Sequence, residues 1–232
     1  QALYDEMYGR FGLKPFLCGN SGPQWAGWFR KEINSVDDLK GLRFRTTGLA
    51  SQMCSKMGMA VQAMGGRAMF QALQTGTLDA GEFIGPWTDS ALGFHQIAKY
   101  YYWPGVGEPS SAEECVVNTD AFAALPEDLQ KAVAYACESL YNPVWTEYTT
   151  NHAKALQKLV DEKGVIVKRL PEDVILAMGN AAGEVMEELK ADDDELVRRI
   201  TASYLDYRSA MRTYKGYADN GQMNARGLDY KY

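Results

Sequence analysis

The 232-residue chain lacks most of the residue patterns that mark an enzyme active site or a metal cluster. It has only two histidines, His95 and His152, and its cysteines form no CxxC pair, which argues against a zinc site. It contains no GxSxG motif, no phosphate-binding loop and no GxGxxG sequence after a predicted strand. Among the carboxylates only Glu82 falls at a predicted strand end, whereas a paired-carboxylate hydrolase needs two facing acids. The sequence therefore predicts a protein that is not an enzyme.

Long hydrophobic runs and an excess of positive charge are also missing. No apolar run approaches the roughly 20 residues of a membrane-spanning helix. The net charge is −6 and the pI is about 5.1, so no nucleic-acid partner is expected, because proteins that bind nucleic acids usually carry a basic face. The four cysteines, Cys18, Cys54, Cys115 and Cys137, permit disulfides without showing them, and buried free thiols are the more ordinary interpretation.

A regular alternation of strand and helix patterns occupies residues 41–87. The successive segments, GLRFRTT, LASQMCSKMG, MAVQAM, GGRAMFQALQTG and LDAGEFI, predict strand, helix, strand, helix and strand. In such a unit the carboxyl ends of the parallel strands lie at one edge of the sheet, where ligands bind. Arg45, Gln62 and Glu82 fall at or near those ends. The stretch therefore predicts a crevice shared by a cation, an amide and a carboxylate.

The other elements follow from their own patterns. Strands are predicted at 13–20, 115–118 and 164–170, and helices at 35–41, 89–99, 126–163, 171–191 and 193–214, with a polar tail after the last helix. Pro143 is expected to kink or break the longest helix. Strands and helices alternate through the first half of the chain, and helices dominate the second half. The fold class is therefore α/β with a mostly parallel sheet and helical additions.

Polar and aromatic residues outside the 41–87 stretch are further candidates for ligand contact. Asn20 and Gln24 follow the first strand in a glycine-rich turn, although Asn20 can simply build the turn and Gln24 can be a surface residue. The aromatic run 100–103, which includes Tyr102, leads into Pro104. Aromatic residues in such a loop either line a pocket or pack beneath the loop.

The charges of Arg45 and Glu82 together predict a metal ion. A guanidinium can bind a carboxylate through two parallel hydrogen bonds, but Glu82 in the same crevice would repel that ligand. A hard cation coordinated by Glu82, the amide oxygen of Gln24 and a backbone carbonyl would cancel the repulsion. Arg45, Glu82 and a ligand carboxylate sum to −1, so sodium brings the site to zero and calcium to +1. Sodium is therefore the predicted metal ion, with calcium as the alternative.

Resemblance to a known family is carried by two segments, GNSGPQWAGWFRKEINSVDDLKGLRFRTTG and ALQTGTLDAGEFIGPWTDSALGFHQIAKYYYWPG. They resemble the solute-binding proteins of tripartite ATP-independent periplasmic (TRAP) transporters, in particular the branch that binds 2-oxo acids and related small carboxylates with a metal ion. The similarity continues through VVNTDAFAALPEDLQKAV and covers nearly the whole chain. It implies a two-lobed periplasmic-binding-protein fold, type II-like, that closes on its ligand. The helix at 126–163 matches the long inter-lobe helix of that fold.

The resemblance also implies roles for individual residues. Arg45 matches the family arginine that pairs with the ligand carboxylate, and Gln24 and Glu82 match the metal-ligand positions. Phe83 supplies its backbone carbonyl to the metal, where relatives carry Trp, and Trp87 stands where relatives carry Tyr. The predicted ligand contacts are Asn20, Gln24, Arg45, Glu82, Phe83, Trp87 and Tyr102, and the predicted metal ligands are Gln24, Glu82 and Phe83.

Partners and location follow from the resemblance as well. It implies a periplasmic protein that delivers a small organic carboxylate, such as pyruvate or lactate, to TRAP membrane permease subunits. In this branch the C-terminal helix is exchanged between subunits, which implies a homodimer. The seam of that helix has heptad spacing and consists of Ile200, Tyr204, Tyr207, Met211 and Tyr214. The same seam could instead pack on its own domain.

The predicted organisation assigns 1–16 and 113–150 to lobe I, 17–112 and 151–190 to lobe II, and 191–232 to a C-terminal helix and tail. The first third of a typical member, with its signal peptide, is expected to be missing. Two alternative functions stay open: a binding protein of the same fold for an aromatic acid or a polyol, and an enzyme built on this fold.

Overall fold

A computed structural model describes residues 1–231 as an α/β protein with two sheets. The strands are β1 (Leu13–Pro23), β2 (Gly27–Phe29), β3 (Arg43–Arg45), β4 (Ala60–Gln62), β5 (Ala80–Gly81), β6 (Tyr100–Trp103), β7 (Ser110–Asn118) and β8 (Ile166–Arg169). The α-helices are α1 (Ala2–Gly9), α2 (Gly48–Lys56), α3 (Gly66–Thr75), α4 (Pro86–Leu92), α5 (Thr119–Ala123), α6 (Glu127–Asp161), α7 (Glu172–Lys190), α8 (Glu195–Tyr217) and α9 (Asp219–Arg226). Short 3₁₀ helices cover Val36–Leu39 and Phe94–Gln96.

The larger sheet has six strands in the order β4-β3-β5-β2-β6-β8. Strand β3 is parallel to both β4 and β5, and its Arg45 is paired with Gln62 on one side and Gly81 on the other. The predicted alternation of strands and helices over 41–87 is therefore confirmed, and so is the common edge formed by the strand ends. Strands β1 and β7 form a separate antiparallel pair.

Strand β2 approaches the end of β5 unusually closely, and a glycine makes this approach possible. Gly27 has φ +117°, a conformation that L side chains rarely adopt. A Cβ built on Gly27 would lie 2.3 Å from the carbonyl oxygen of Gly81 and 2.7 Å from Cα of Glu82. The backbone that carries Glu82 is thus packed directly against β2.

A stack of aromatic rings forms the centre of the core beside this sheet. Trp28 and Tyr101 are fully buried, and their ring centroids are 4.0 Å apart. Trp25 stacks on Tyr101 with a centroid distance of 4.3 Å. The buried carboxylate of Asp89 accepts hydrogen bonds of 2.9 Å from both the Trp28 indole and the Tyr101 hydroxyl, which satisfies the polar atoms of these rings.

Several predicted elements differ from the structure. The run 100–103 is strand β6 rather than a loop, because aromatic residues pack well on a half-buried sheet. Helix α4 begins at Pro86, and Asp89 lies inside it with its carboxylate accepting from the backbone of Ile84 and Gly85. The second part of the predicted 89–99 helix is a 3₁₀ turn. The predicted polar tail contains helix α9.

Helix α6 continues through Pro143, so of the two predicted outcomes, a kink or a break, the break does not occur. The residue after this proline, Val144, packs directly against β1 at Gly19. Tertiary packing along β1 compensates for the backbone hydrogen bond that proline removes.

The chain divides into two compact units. One comprises residues 4–185 and contains both sheets; the other comprises residues 1–3 and 186–232 and contains α8 and α9. Within the second unit the α8 side chains of Tyr204, Tyr207 and Tyr214 are 52%, 67% and 61% exposed. No helix within residues 1–231 is both long and apolar enough to cross a membrane.

Candidate functional site

The carboxyl end of β3 brings Arg45 and Glu82 together. Both side chains are buried, and Nη1 of Arg45 lies 3.3 Å from Oε1 of Glu82. The shorter bonds of the guanidinium go to backbone: Nη1 donates to the carbonyl of Glu82 at 2.5 Å, and Nε donates to the carbonyl of Met64 at 2.8 Å. The Phe83 ring lies 5.3 Å beneath the guanidinium carbon. The orientation of Arg45 is therefore set by backbone oxygens and an aromatic face.

The Glu82 carboxylate is held in an environment that disfavours its negative charge. Burial raises its pKa to about 7, and Arg45 only partly offsets this effect. Thr46 donates a hydrogen bond of 3.2 Å to Oε2 of Glu82. A cation bound at this carboxylate would favour its charged form, because a nearby positive charge lowers the pKa of an acid.

Two further oxygen atoms, one on Gln24 and one on the residue that follows Glu82, have no hydrogen-bond donor in the described part of the chain. Oε1 of Gln24 is buried and has no partner within the described part of the chain, while Nε2 of the same amide donates to Ser21 at 3.1 Å. The N–H of Trp25 donates to the carbonyl of Ile84, so Gln24 lies alongside the Glu82–Ile84 segment. The carbonyl of Phe83 also accepts no hydrogen bond from residues 1–231. A carboxylate, an amide oxygen and a carbonyl form an oxygen donor set of the kind that sodium and calcium prefer.

A small, partly open cavity lies beside Glu82. Its walls are mostly apolar, with Phe44, Met53 and Met178 among them, and its charged groups are Glu82 and Glu108. Burial raises the pKa of Glu108, and the positive charge of Arg45 opposes that rise. Arg45 contacts Glu82 without lining this cavity. A group bound in the cavity would therefore meet the carboxylates of Glu82 and Glu108.

Two buried side chains, Asp89 and His152, accept hydrogen bonds from the backbone that follows Glu82. The N–H groups of Ile84 and Gly85 donate to Oδ1 of Asp89 at 3.2 and 3.0 Å, and burial raises the pKa of Asp89 to about 6. His152 of α6 accepts a 3.1 Å hydrogen bond from the N–H of Trp87 at Nδ1, and burial lowers its pKa. These contacts hold the segment that follows the predicted metal ligands in one conformation.

Two other predicted ligand contacts, Asn20 and Trp87, have partners of their own. Asn20 accepts from the N–H of Gly22 at 2.8 Å and donates to Ser110 at 3.2 Å, so both ends of its amide help to hold an irregular part of β1. Trp87 packs edge-on against Tyr148 of α6. Asn20 and Trp87 do not line the cavity, and neither do Arg45, Gln24 and Phe83.

Tyr102 is the predicted ligand contact that the structure argues against. Its side chain is fully buried, and its hydroxyl accepts from the N–H of Ile33 at 2.8 Å. The ring packs edge-on against Phe29 with centroids 5.1 Å apart. The prediction placed Tyr102 in a loop, whereas the residue belongs to strand β6 and faces the core.

Sequence reasoning missed three residues around the site: Thr46, Glu108 and His152. Thr46 directly follows Arg45 at the strand end, so its position was a usable signal. Glu108 lies in the PGVGEP loop, and nothing in that local sequence indicates that it meets Glu82. His152 is buried on α6 and accepts a hydrogen bond from the Trp87 backbone, a contact that nothing in its local sequence indicates.

Comparisons with known proteins give a consistent set of relatives. Residues 1–193 match the model of the family described as bacterial extracellular solute-binding protein, family 7. The chain is 30% identical over 229 residues to a monocarboxylate 2-oxoacid-binding periplasmic protein from Nostoc sp. (strain PCC 7120), covering 95% of this chain and 62% of that protein. The chain therefore spans less than two thirds of the length of this relative.

Two solved structures illustrate the structural similarity. A TRAP transporter solute-binding protein from Bordetella bronchiseptica, a mixed-occupancy dimer with co-purified calcium and picolinate in one active site, is 32% identical with a TM-score of 0.93. The alignment covers 97% of this chain and 66% of that one. A TRAP periplasmic solute-binding protein from Pseudoalteromonas atlantica with bound sodium and pyruvate is 33% identical with a TM-score of 0.90, covering 98% of this chain and 68% of that one.

Proposed function

This chain belongs to family 7 of the bacterial extracellular solute-binding proteins, the receptors of TRAP transporters, and we propose that it captures a small 2-oxo acid together with a metal ion. Proteins of this family bind and deliver substrates and are not enzymes. The proposal places the protein in the periplasm, where it hands the ligand to TRAP membrane permease subunits. The observation that carries it is the buried Oε1 of Gln24, which has no hydrogen-bond partner within residues 1–231 and belongs to a residue alongside the Glu82–Ile84 segment.

The proposed metal ligands are the Glu82 carboxylate, the Gln24 amide oxygen and the Phe83 carbonyl. An unpartnered buried amide oxygen is costly, and a hard cation would remove that cost. The same cation would stabilise the charged form of Glu82, whose pKa burial raises to about 7. It would also supply a positive centre for a ligand carboxylate and a neighbouring keto oxygen. The named relatives bind sodium with pyruvate and calcium with picolinate, which supports a metal ion as part of the site.

The preferred metal depends on Glu108, which the charge count from sequence left out. Arg45, Glu82 and one ligand carboxylate sum to −1, and a charged Glu108 makes the sum −2. Calcium then brings the site to zero, and sodium leaves it at −1. We therefore propose calcium when Glu108 is charged and sodium when it is protonated, a revision of the preference for sodium that follows from three charges alone.

The ligand is proposed to be a small 2-oxo acid such as pyruvate. The cavity beside Glu82 is small. Its mostly apolar walls suit a short alkyl group better than the many hydroxyls of a sugar acid or polyol. Arg45 is proposed to pair with the ligand carboxylate through its Nη2 group, which makes no hydrogen bond within the described residues.

Calorimetry tests the ligand and the metal together. We expect pyruvate and 2-oxobutyrate to bind in the presence of sodium or calcium, lactate to bind more weakly, and a sugar acid not to bind. After chelation and dialysis, binding of pyruvate is expected to fall at least about 100-fold, because the ligand carboxylate then faces Glu82 without a cation. Binding of pyruvate that is unaffected by metal removal would refute the metal site. Preferential binding of an aromatic acid or polyol would favour the alternative ligand class.

A matched pair of arginine variants tests the anchor. Arg45 and Arg43 both lie on β3, but Arg43 faces outward and pairs with Asp79 through a 2.5 Å contact. Arg45→Ala is expected to abolish pyruvate binding, whereas Arg43→Ala should leave the affinity within about twofold, because exposed ion pairs contribute little. Equal affinities for the two variants would remove Arg45 from the ligand site.

Glu108→Gln tests the charge count. The substitution removes one negative charge from the cavity and keeps the shape of the side chain. The ratio of calcium to sodium affinity is expected to fall by at least about tenfold, because the divalent ion interacts more strongly with the lost charge. An unchanged ratio would show that Glu108 does not take part in metal selection.

We propose that α8 contacts a second subunit and forms a homodimer. Three tyrosines of its heptad seam are more than half exposed within their unit, which leaves them available to a second subunit. The Bordetella bronchiseptica relative is a dimer, which supports a dimer for this chain. Light scattering on wild type and on Tyr207→Glu tests it: we expect a dimer that becomes a monomer on substitution. A wild-type monomer at micromolar concentration would refute this part of the proposal.

A further inference from the structure

Three of the four cysteines lie together at the two-stranded sheet, outside the site described above. Cys18 belongs to β1, Cys115 to β7 and Cys137 to α6, and the structure holds all three as free thiols. Burial in the core accounts for the fourth cysteine, Cys54, which lines the cavity beside Glu82. Burial alone does not explain why Cys18, Cys115 and Cys137 lie close to one another.

Helix α6 lies along β1 and runs in the same direction. A Cβ built on Gly19 would meet Cγ1 of Val144 at 2.6 Å, and one built on Gly22 would meet Cγ2 of Thr149 at 2.9 Å. The later residue of the strand therefore meets the later residue of the helix, so the two elements run in the same direction. Both glycines allow the helix to approach the strand closely.

The strand register shows that Cys115 faces this helix. Gly19 is paired with Glu113 of β7, and the Cβ position of Gly19 lies 3.0 Å from Cβ of Glu113 as well as against Val144. Glu113 therefore points toward α6. Since side chains two residues apart on a strand share one face, Cys115 points toward α6 as well.

The helix register places Cys137 opposite Cys115. Cys137 precedes Val144 by two helical turns, so both side chains lie on the face turned to β1, about 10 Å apart along the helix. The same distance along the strand corresponds to about three residues. Three residues before Gly19 is Phe16, which is paired directly with Cys115.

The ionisation of the thiols supports this placement. The pKa of the Cys137 thiol is raised by burial and further by Cys115, to which it is hydrogen-bonded, and by Cys18. The pKa of Cys18 is raised by burial, by Cys115 and by Glu113. Cys115 is therefore the neighbour that both other thiols share.

We propose that Cys115 and Cys137 form a disulfide that links β7 to α6, with Cys18 as an adjacent thiol that can enter the linkage by exchange. This inference goes beyond ligand binding, and it rests on the proposed periplasmic location only for the oxidising conditions in the cell. The link would tie the strand pair to the long helix, and neither Cys115 nor Cys137 lines the cavity beside Glu82. It would therefore affect the stability of this region rather than the ligand chemistry.

The reaction requires a disulfide oxidant, either a small molecule such as oxidised glutathione or a carrier protein. Cys115 is partly exposed, so its sulfur attacks the oxidant; one thiol of the oxidant leaves and takes up the proton that Cys115 gives up. Cys137 then loses its proton and displaces the second thiol from the mixed disulfide. Two S–H bonds and one S–S bond break, one protein S–S bond and two thiols form, and two electrons pass to the oxidant.

The test compares oxidised and reduced samples of the same purified protein. After incubation with oxidised glutathione, non-reducing peptide mass spectrometry is expected to find the Cys115 and Cys137 peptides linked, with a mass about 2 Da below their sum. The melting temperature is expected to rise by about 5–10 °C relative to the reduced sample. Because both samples have one sequence, a folding defect cannot explain the difference.

Variants then separate the three thiols. Cys137→Ser should abolish the link and the difference in melting temperature between oxidised and reduced protein, whereas Cys54→Ser and Cys18→Ser should keep both. Cys115 and Cys137 that remain singly alkylatable after oxidation would overturn the proposal, and so would a stable Cys18–Cys115 link. Pyruvate titration of the same samples reports on the proposed ligand site independently, so a failure of either proposal leaves the other measurable.

Discussion

Replacing Gly27 with alanine tests how closely the site depends on the approach of β2 to β5. Gly27 has φ +117°, and an added Cβ would lie 2.3 Å from the Gly81 carbonyl oxygen and 2.7 Å from Cα of Glu82. Both neighbours are backbone atoms, so no side-chain rotation can relieve the clash. The segment 81–82 must move, or β2 must leave the sheet.

The expected loss of stability has two parts, and substitutions at two other glycines distinguish them. Strain at a positive φ costs about 1–3 kcal/mol for a residue with a Cβ, and overpacking against backbone adds about 1–3 kcal/mol. Gly41 has φ +71° but no atom within 4 Å of its added Cβ, so Gly41→Ala carries the strain alone. Gly179 lies inside α7 with open space around it, so Gly179→Ala should stabilise the protein by about 0.5–1 kcal/mol. Gly27→Ala is expected to cost about 2–6 kcal/mol.

Thermal unfolding and calorimetry measure the two consequences. For a chain of this size each kcal/mol shifts the melting temperature by about 2–4 °C, so Gly27→Ala should melt at least about 4 °C below wild type. Gly41→Ala should lie between Gly27→Ala and wild type, and Gly179→Ala slightly above wild type. Only Gly27→Ala should weaken the binding of pyruvate with metal, since only this clash reaches Glu82. A Gly27→Ala protein with wild-type melting temperature and affinity would refute the reasoning, and equal losses in Gly27→Ala and Gly41→Ala would show that strain alone matters.

Three further predictions follow from buried side chains outside the proposed ligand set. Burial lowers the pKa of His152, so the unfolded chain binds more protons than the folded one below about pH 6.5, and stability falls as the pH drops through that value. His152→Gln should therefore reduce the difference in melting temperature between pH 7.5 and pH 5.5 (an unchanged difference assigns the effect to other groups). Tyr102→Phe should cost about 1–3 kcal/mol by leaving the N–H of Ile33 without its partner, with pyruvate affinity unchanged; a large loss of affinity would restore Tyr102 as a ligand contact. Burial raises the pKa of Cys54 to about 12, so iodoacetamide at pH 8 should leave it unmodified until the protein unfolds, and rapid labelling of folded protein would contradict this.

The part of the fold that could be predicted from sequence is the part governed by local periodicity. Between residues 41 and 87, apolar runs, helical spacing and glycine boundaries agree, and every element appears where the pattern predicts it. The parallel pairing of β3 with β4 and β5 then brings Arg45, Gln62 and Glu82 to one edge. The differences occur where tertiary contacts override local signals: the aromatic run 100–103 pairs as a strand, and α6 packs through Pro143.

The residues of the candidate site likewise divide into those that the local sequence predicts and those that only tertiary contacts reveal. Glu82 could be identified because an acid in an apolar run, without adjacent bases, needs a partner when it is buried. Glu108 could not be identified in this way, because its burial beside Glu82 depends on the packing of a loop against a distant strand end. Tyr102 was assigned to the ligand on its residue type, and only the structure shows that its hydroxyl binds the backbone of Ile33.

The sequence by itself determines the α/β alternation, the polar strand ends of β3 and β5, and the absence of catalytic motifs, since each depends on residues close together in the chain. The tertiary structure alone decides that Glu108 joins Glu82, that Gln24 presents an unpartnered oxygen, and that three cysteines meet at one strand pair. Burial and proximity arise from contacts between residues far apart in sequence, and neither composition nor spacing records those contacts.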